Sequence, residues 1–264
     1  MPLSLQTYST VTEASAALKV PGARYLGGGT LCVRAANEGD LSLGAFVQST
    51  ESSLREIRIA NKFVTLGASV TMAEVARHAQ LSSISKAALA VGGPAVRNMA
   101  TIGGNLFALS PYGDFTVALL ALDAMVTIEG HETPIEAFLS SRDTTEGIVT
   151  SVRFDLPKAE SFRFLKVSRV RPKGVSVLSI AMVIEVAPDG TITDTRVALG
   201  CMADRPIRAH GVEKALVGRA LTAASVAEAI ERVEDGIAPP TDPIASAWYR
   251  REVLPVHLRR LLIG

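Results

Sequence analysis

The sequence predicts an α+β protein in two parts. Three observations carry that reading: short strand patterns alternate with capped helices up to about Leu156-Pro157, three strand patterns then follow without an intervening helix, and three helical segments close the chain. The 264 residues hold enough apolar content for two domains or one large one, with no internal repeat or low-complexity tract.

In chain order, Thr10 and Glu13 have capping-box spacing and open a short helix that ends before Pro21-Gly22. Arg24 to Leu26 reads as a short strand running into a triple glycine. AFVQS and REIRIANKFVTLGA are strand patterns, the second a hairpin turning at Asn61-Lys62. Thr71 and Glu74 form a second capping box ahead of MAEVARHAQ, and an Ala-rich helix follows to about Val91. The next 23 residues, GGPAVRNMATIGGNLFALSPYGD, are rich in Gly, Asn, Ser and Pro and read as one long loop, a feature usually tied to function. Asp114 is placed to cap the helix FTVALLALDA. In the second part, FRFLKVSRV, VSVLSIAMVIEV and TITDTRVALG are three antiparallel strands, the last two joined at Pro188-Asp189-Gly190. The closing helices run from about His210 to Gly218, Ala223 to Glu234 and Ala245 to Leu262.

Charge and composition exclude several functions. Twenty-seven basic residues against 26 acidic ones give no basic excess for nucleic acid or an anionic membrane. No apolar run approaches the ~18 residues of a bilayer span. The opening MPLSLQTYSTVTEA lacks the basic start and apolar core of a signal peptide, so a soluble cytoplasmic protein is expected. Cys32 and Cys201 are too few for a disulfide scaffold or a Cys-rich metal site. His78, His131, His210 and His257 have no ligand spacing, and no nucleophile–base constellation stands out.

Gly27, Gly28 and Gly29 raise the main chemical question. Glycine loses more backbone freedom on folding than any other residue, so three in a row need a reason. Alone they read as a turn. The rival reading is a phosphate cradle, because glycines let backbone N–H groups close on an anion and adopt positive φ. GGGTLC does not fit G-x-G-x-x-G, and no Gly-Lys-Ser/Thr follows, which disfavours a nicotinamide Rossmann domain and an ATP P-loop. A second glycine pair, Gly103-Gly104, is followed by Asn105, Ser110 and Asp114. Two such turns, about seventy residues apart, could face one another across a pyrophosphate. Asp114 could then accept from sugar hydroxyls, cap a helix, or do both.

GGGTL, RNMATIGGNL, SPYGDFTVALLALDA and the closing WYRREVLPVHLRRLL resemble the flavin-binding medium subunit of molybdenum hydroxylases. That family includes the carbon monoxide dehydrogenase flavoproteins and the flavin domain of xanthine dehydrogenase. The resemblance implies a two-lobed FAD-binding domain of the p-cresol methylhydroxylase (PCMH) type over residues 1–157, with lobes of about 1–53 and 54–157. A carbon monoxide dehydrogenase flavoprotein-like C-terminal domain of antiparallel sheet and helices follows over 158–264. By the same resemblance the FAD contacts are Tyr25, Leu26, Gly27, Gly28, Gly29, Thr30 and Leu31 in the first loop. Thr101, Gly103, Gly104 and Asn105 form the second, with Ser110, Asp114, Val149 and Lys166 beyond it. No catalytic acid, base or nucleophile and no metal ligand is expected in this chain.

The resemblance further implies a molybdenum cofactor on a large partner subunit and two [2Fe–2S] clusters on a small one, in a dimer of heterotrimers. Electrons would leave through FAD to NAD⁺, dioxygen or a quinone-linked carrier. Three departures from the family pattern stand out: Leu31 where a polar residue is common, Val170 where arginine is usual, and Gly174 where an acid is usual. The basic run KVSRVRPKG carries no acid of its own; Arg169, Arg171 and Lys173 read as solvated. Lys166 is expected near the flavin, raising its reduction potential. Two alternatives stay open, a self-sufficient flavin oxidoreductase of the same broad fold and a structural subunit that has lost FAD.

Overall fold

The computed structural model describes residues 3–158, 160–170 and 174–263, so Arg171 and Lys173 of the basic run lie outside the described residues. Three sheets organise the chain. The first contains β1 (Ser4–Tyr8), β2 (Ala23–Tyr25) and β3 (Ala45–Ser49) in the order β1-β3-β2, all parallel. Helices α1 (Val11–Leu18) and α2 (Cys32–Asn37) make the crossovers that parallel pairing requires. The Thr10–Glu13 capping box forms as expected and starts α1.

The second sheet is antiparallel, ordered β4-β5-β8-β6-β7. Its first hairpin, β4 (Ile57–Ala60) and β5 (Phe63–Gly67), turns through Asn61 and Lys62 with φ of 50° and 76°, the paired positive values of a tight hairpin turn. The second Thr-x-x-Glu box caps α3 (Met72–Arg77), and α4 (Ser85–Leu89) follows.

The 23-residue stretch is not one loop. It winds into α5 (Pro94–Met99), with proline in its first turn, and α6 (Ile102–Leu106), capped by the Thr101 hydroxyl on the Gly104 N–H. Helix α7 (Asp114–Ala121) is buried at every position, as an all-round apolar helix must be. Its N-cap is Gly113, in the left-handed region at φ 88°, rather than Asp114. The strands β6 (Met125–Ile128) and β7 (His131–Pro134), the helix α8 (Ile135–Ser141) and β8 (Val149–Asp155) complete this part.

The third sheet, β12-β11-β10-β9, is the antiparallel meander expected from the second part. It comprises β9 (Phe162–Ser168), β10 (Ser176–Val186), β11 (Ile192–Gly200) and the two-residue β12 (Ile207–Arg208). Helices α9 (His210–Leu216), α10 (Ala223–Ile230) and α11 (Ala247–Ile263) cover one face. Strand β10 is buried on both sides: Ala181 and Val183 join the core of the first two sheets and α7, while Leu178, Ile180, Met182 and Ile184 pack under α9–α11. Among the described residues no helix is long and apolar enough to cross a membrane.

Candidate functional site

The first glycine loop leaves the parallel sheet at Tyr25 and Leu26, where the Leu26 N–H still pairs with Val47 O at 2.7 Å. It then lies against the second loop. A Cβ on Gly28 would fall 1.6 Å from Met99 O, and one on Gly27 would fall 2.7 Å from the Thr101 hydroxyl. Gly29 adopts φ 72°, which favours glycine. Two of the three glycines are therefore demanded by the protein's own backbone, one by contact between loops and one by conformation.

The two loops differ in what they leave free. In the second, the Ile102 and Gly103 N–H groups donate to Val70 O and Ala68 O at 2.9 and 2.8 Å, and Gly104 N–H donates to the Thr101 hydroxyl at 3.1 Å. In the first, the backbone N–H groups of Gly27, Gly28, Gly29, Thr30 and Leu31 have no protein acceptor among the described residues. Five neighbouring donors without partners make a cradle suited to an anion. The exposed Gly104 stands beside it, with only the Thr101 hydroxyl, at 3.1 Å, near the position a Cβ would take.

The other expected residues lie on the elements that follow these loops in the chain. Asn105 is buried, and its side-chain oxygen accepts from Thr116 N and Oγ1 at 2.8 and 3.0 Å, fastening α6 to α7. The Ser110 hydroxyl is buried at the end of the second loop, beside the Cys201 thiol. Val149 is buried at the start of β8 opposite Ile128. Its neighbour Thr150 accepts from Ala68 N at 2.9 Å, and Ala68 O in turn accepts from Gly103 N, which ties the start of β8 to the second loop.

Asp114 and Lys166 come together. Lys166 Nζ donates to Asp114 Oδ2 at 2.7 Å and to Ala90 O at 2.9 Å, with the two side chains only 13% and 6% exposed. Ser176 Oγ donates to Asp114 Oδ1 at 2.5 Å. The carboxylate thus faces the C-terminal sheet instead of capping α7. The acid missing from the basic run is supplied by Asp114, from 52 residues upstream. Gly174 could not hold it, because its N–H bonds Val170 O at 2.8 Å and a Cβ there would lie 2.4 Å from that oxygen.

Sequence reasoning missed Ser176 and the buried Arg250. Arg250, from α11, donates to Val177 O and, at 2.7 Å, to Asp242 Oδ2, pinning the start of β10 beside Ser176. Burial raises the Tyr25 phenol, against hydrogen bonds from Ser49 and Ser69, so it stays protonated. Burial also raises both thiols, Cys32 and Cys201, which makes neither a ready thiolate nucleophile.

A mixed α/β framework with two adjoining glycine loops, one offering bare backbone donors, suits a protein that binds a phosphate-bearing nucleotide. The chain belongs to the family of the FAD binding domain in molybdopterin dehydrogenase, whose sequence profile matches residues 2–158; the profile of the CO dehydrogenase flavoprotein C-terminal domain matches residues 163–263. It is an FAD-binding subunit of the molybdenum hydroxylase family, whose members are oxidoreductases. The glyceraldehyde dehydrogenase medium chain of Sulfolobus acidocaldarius is 32% identical over 175 residues, which span 63% of this chain and 61% of that one. The nicotinate dehydrogenase FAD-subunit of Eubacterium barkeri is 27% identical over 226 residues, 80% of this chain and 76% of that one. A chain of reconstituted CO dehydrogenase from Oligotropha carboxidovorans shares the fold, with a TM-score of 0.90 at 23% identity over 99% of this chain and 96% of that one.

Proposed function

We propose that this chain holds FAD as the electron-transfer subunit of a cytoplasmic molybdenum hydroxylase, with residues 1–157 as the FAD-binding part and 158–264 closing over it. The observation that carries the reading is the row of unpartnered N–H groups from Gly27 to Leu31, held against the second loop at Gly28. Those donors take the pyrophosphate without competing with a protein acceptor. Leu31 contributes through its backbone N–H, so an apolar side chain there leaves the cradle intact. Asp114 and Lys166 would contact the cofactor beyond the cradle, with Val149 as an apolar contact.

When bound, FAD supplies reversible two-electron redox chemistry; the protein supplies position, charge and exclusion of water. Electrons arrive from two [2Fe–2S] clusters on a small partner subunit, after oxidation of the organic substrate at a molybdenum centre on a large one. They leave to NAD⁺, dioxygen or a quinone-linked carrier, and the complex is a dimer of heterotrimers. Names such as medium chain and FAD-subunit among the relatives support a subunit role.

The test is reconstitution. The purified chain should bind FAD non-covalently and turn yellow, with a stability gain of ~2.7 kcal/mol at a hundredfold excess over Kd. Alone it should not oxidise aldehydes or purines. Absence of binding at saturating FAD overturns the reading; efficient substrate oxidation by the isolated chain assigns it to the self-sufficient class.

A further inference from the structure

The Asp114–Lys166 pair is more fully constrained than a simple ion pair. Both carboxylate oxygens are engaged: Oδ2 by Lys166 at 2.7 Å and Oδ1 by the Ser176 hydroxyl at 2.5 Å. An ammonium has three donors, and two of Lys166's go to Asp114 Oδ2 and Ala90 O. One N–H is left. Ser176 is fully buried, and its neighbour Val177 is clamped by Arg250, so the hydroxyl is held in place from behind.

We propose that Ser176 is a positioning residue for the flavin, acting through Asp114 on Lys166; this rests on the FAD reading above. By donating to Oδ1, the hydroxyl satisfies a buried acceptor that would otherwise draw in the ammonium's third donor. That donor is then kept for the cofactor. The hydroxyl dipole also offsets part of the carboxylate's negative potential, which would otherwise oppose electron uptake by the ring. Without Ser176, Oδ1 becomes a buried acceptor lacking a donor, an expensive state whose nearest remedy is Lys166. The ammonium turns toward the acid and the flavin feels less positive charge.

The experiment compares wild type, Ser176→Ala, Asp114→Asn and the double variant as FAD-loaded proteins. The readouts are flavin reduction potential, FAD Kd, and melting temperature without FAD. Ser176→Ala should make two-electron reduction roughly tenfold less favourable, about 30 mV, and weaken FAD binding. The potential shift should vanish in the Asp114→Asn background, where Oδ1 no longer carries charge. A fall in melting temperature with an unchanged potential in bound flavin overturns the inference and leaves Ser176 a packing residue. Failure of the wild-type chain to bind FAD at all overturns the underlying FAD reading instead, so the two failures are told apart.

Discussion

Gly28 and Met99 are in backbone contact: a Cβ at position 28 would sit 1.6 Å from the Met99 carbonyl oxygen and 2.5 Å from its carbon. This contact sets the distance between the two glycine loops, because neither partner can yield by changing a rotamer. Gly28→Ala must push the loops apart. We expect a loss of stability at the upper end of the ~1–3 kcal/mol usual for overpacking, together with loss of FAD. Urea denaturation of the apo-protein checks the first effect, and a wild-type midpoint would show that the loops are not braced there.

Gly104 should behave differently. Its Cβ position is open except for the Thr101 hydroxyl at 3.1 Å, and it is exposed. Gly104→Val should keep the circular dichroism spectrum of the parent while FAD affinity falls at least tenfold. Flavin retained at parental affinity would mean that the second loop serves only to build the fold.

The Asp114–Lys166 pair gives a stability prediction as well as a redox one. Lys166→Met leaves a carboxylate that is 6% exposed without its cation. Removing one member of a buried pair is typically destabilising by about 3–5 kcal/mol. The double variant Asp114→Asn, Lys166→Met should recover part of that loss. Equal stability of the two variants would indicate that the carboxylate is satisfied by Ser176 alone. Any lowering of the flavin potential in Lys166→Met is then to be measured against a pair whose net charge was near zero, not against a bare ammonium.

Acid sensitivity should trace in part to Asp242. Burial raises its carboxyl, but the Ala245 and Ile244 N–H groups and the Arg250 charge outweigh that and hold it below the ordinary range. A depressed folded-state value contributes stability that is present above the unfolded carboxyl range, near pH 4, and is lost as pH falls through the folded value. Asp242→Asn should therefore cost about 1.5–3 kcal/mol at neutral pH and flatten the stability profile below pH 4. A parallel profile for variant and parent in that region would remove Asp242 from the account.

The elements that sequence reading recovered are those fixed by local chemistry. Thr10–Glu13, Thr71–Glu74 and Asn61-Lys62 carry their instructions within a few residues, and the capping boxes and hairpin form where expected. In the C-terminal sheet β10 announces itself by its apolar run, and β9 and β11 by apolar residues mixed with polar ones. The β6–β7 hairpin was missed because its turn uses Glu129-Gly130, at φ 47° and 93°, in place of the usual Asn or Asp before glycine. The helices α5 and α6 were hidden by their glycines and by lengths below what periodicity detects.

At the site, the two glycine loops were legible because adjacent glycines stand out in the sequence. The partners of Asp114 were not. Lys166 is 52 and Ser176 is 62 residues away, and only the packing of α7 on β10 brings them together. Arg250 carried no signal either, since a lone arginine among the basic residues of α11 looks solvated until Leu254, Leu258 and Leu262 place it on the buried stripe.

The double burial of β10 bears on how such chains are exchanged and recombined. The two family profiles adjoin between residues 158 and 163, which in the gene looks like a natural joint. In the folded molecule it is a suture rather than a joint: Phe162, Phe164, Ala181, Val183 and Ala198, all downstream of it, complete the apolar cluster of the upstream part. A chimera that joins the front of this chain to the back of a relative must therefore import matching volumes at those five positions. Compatibility between halves is written in buried apolar side chains outside the glycine loops, so relatives that share every loop residue can still fail as donors.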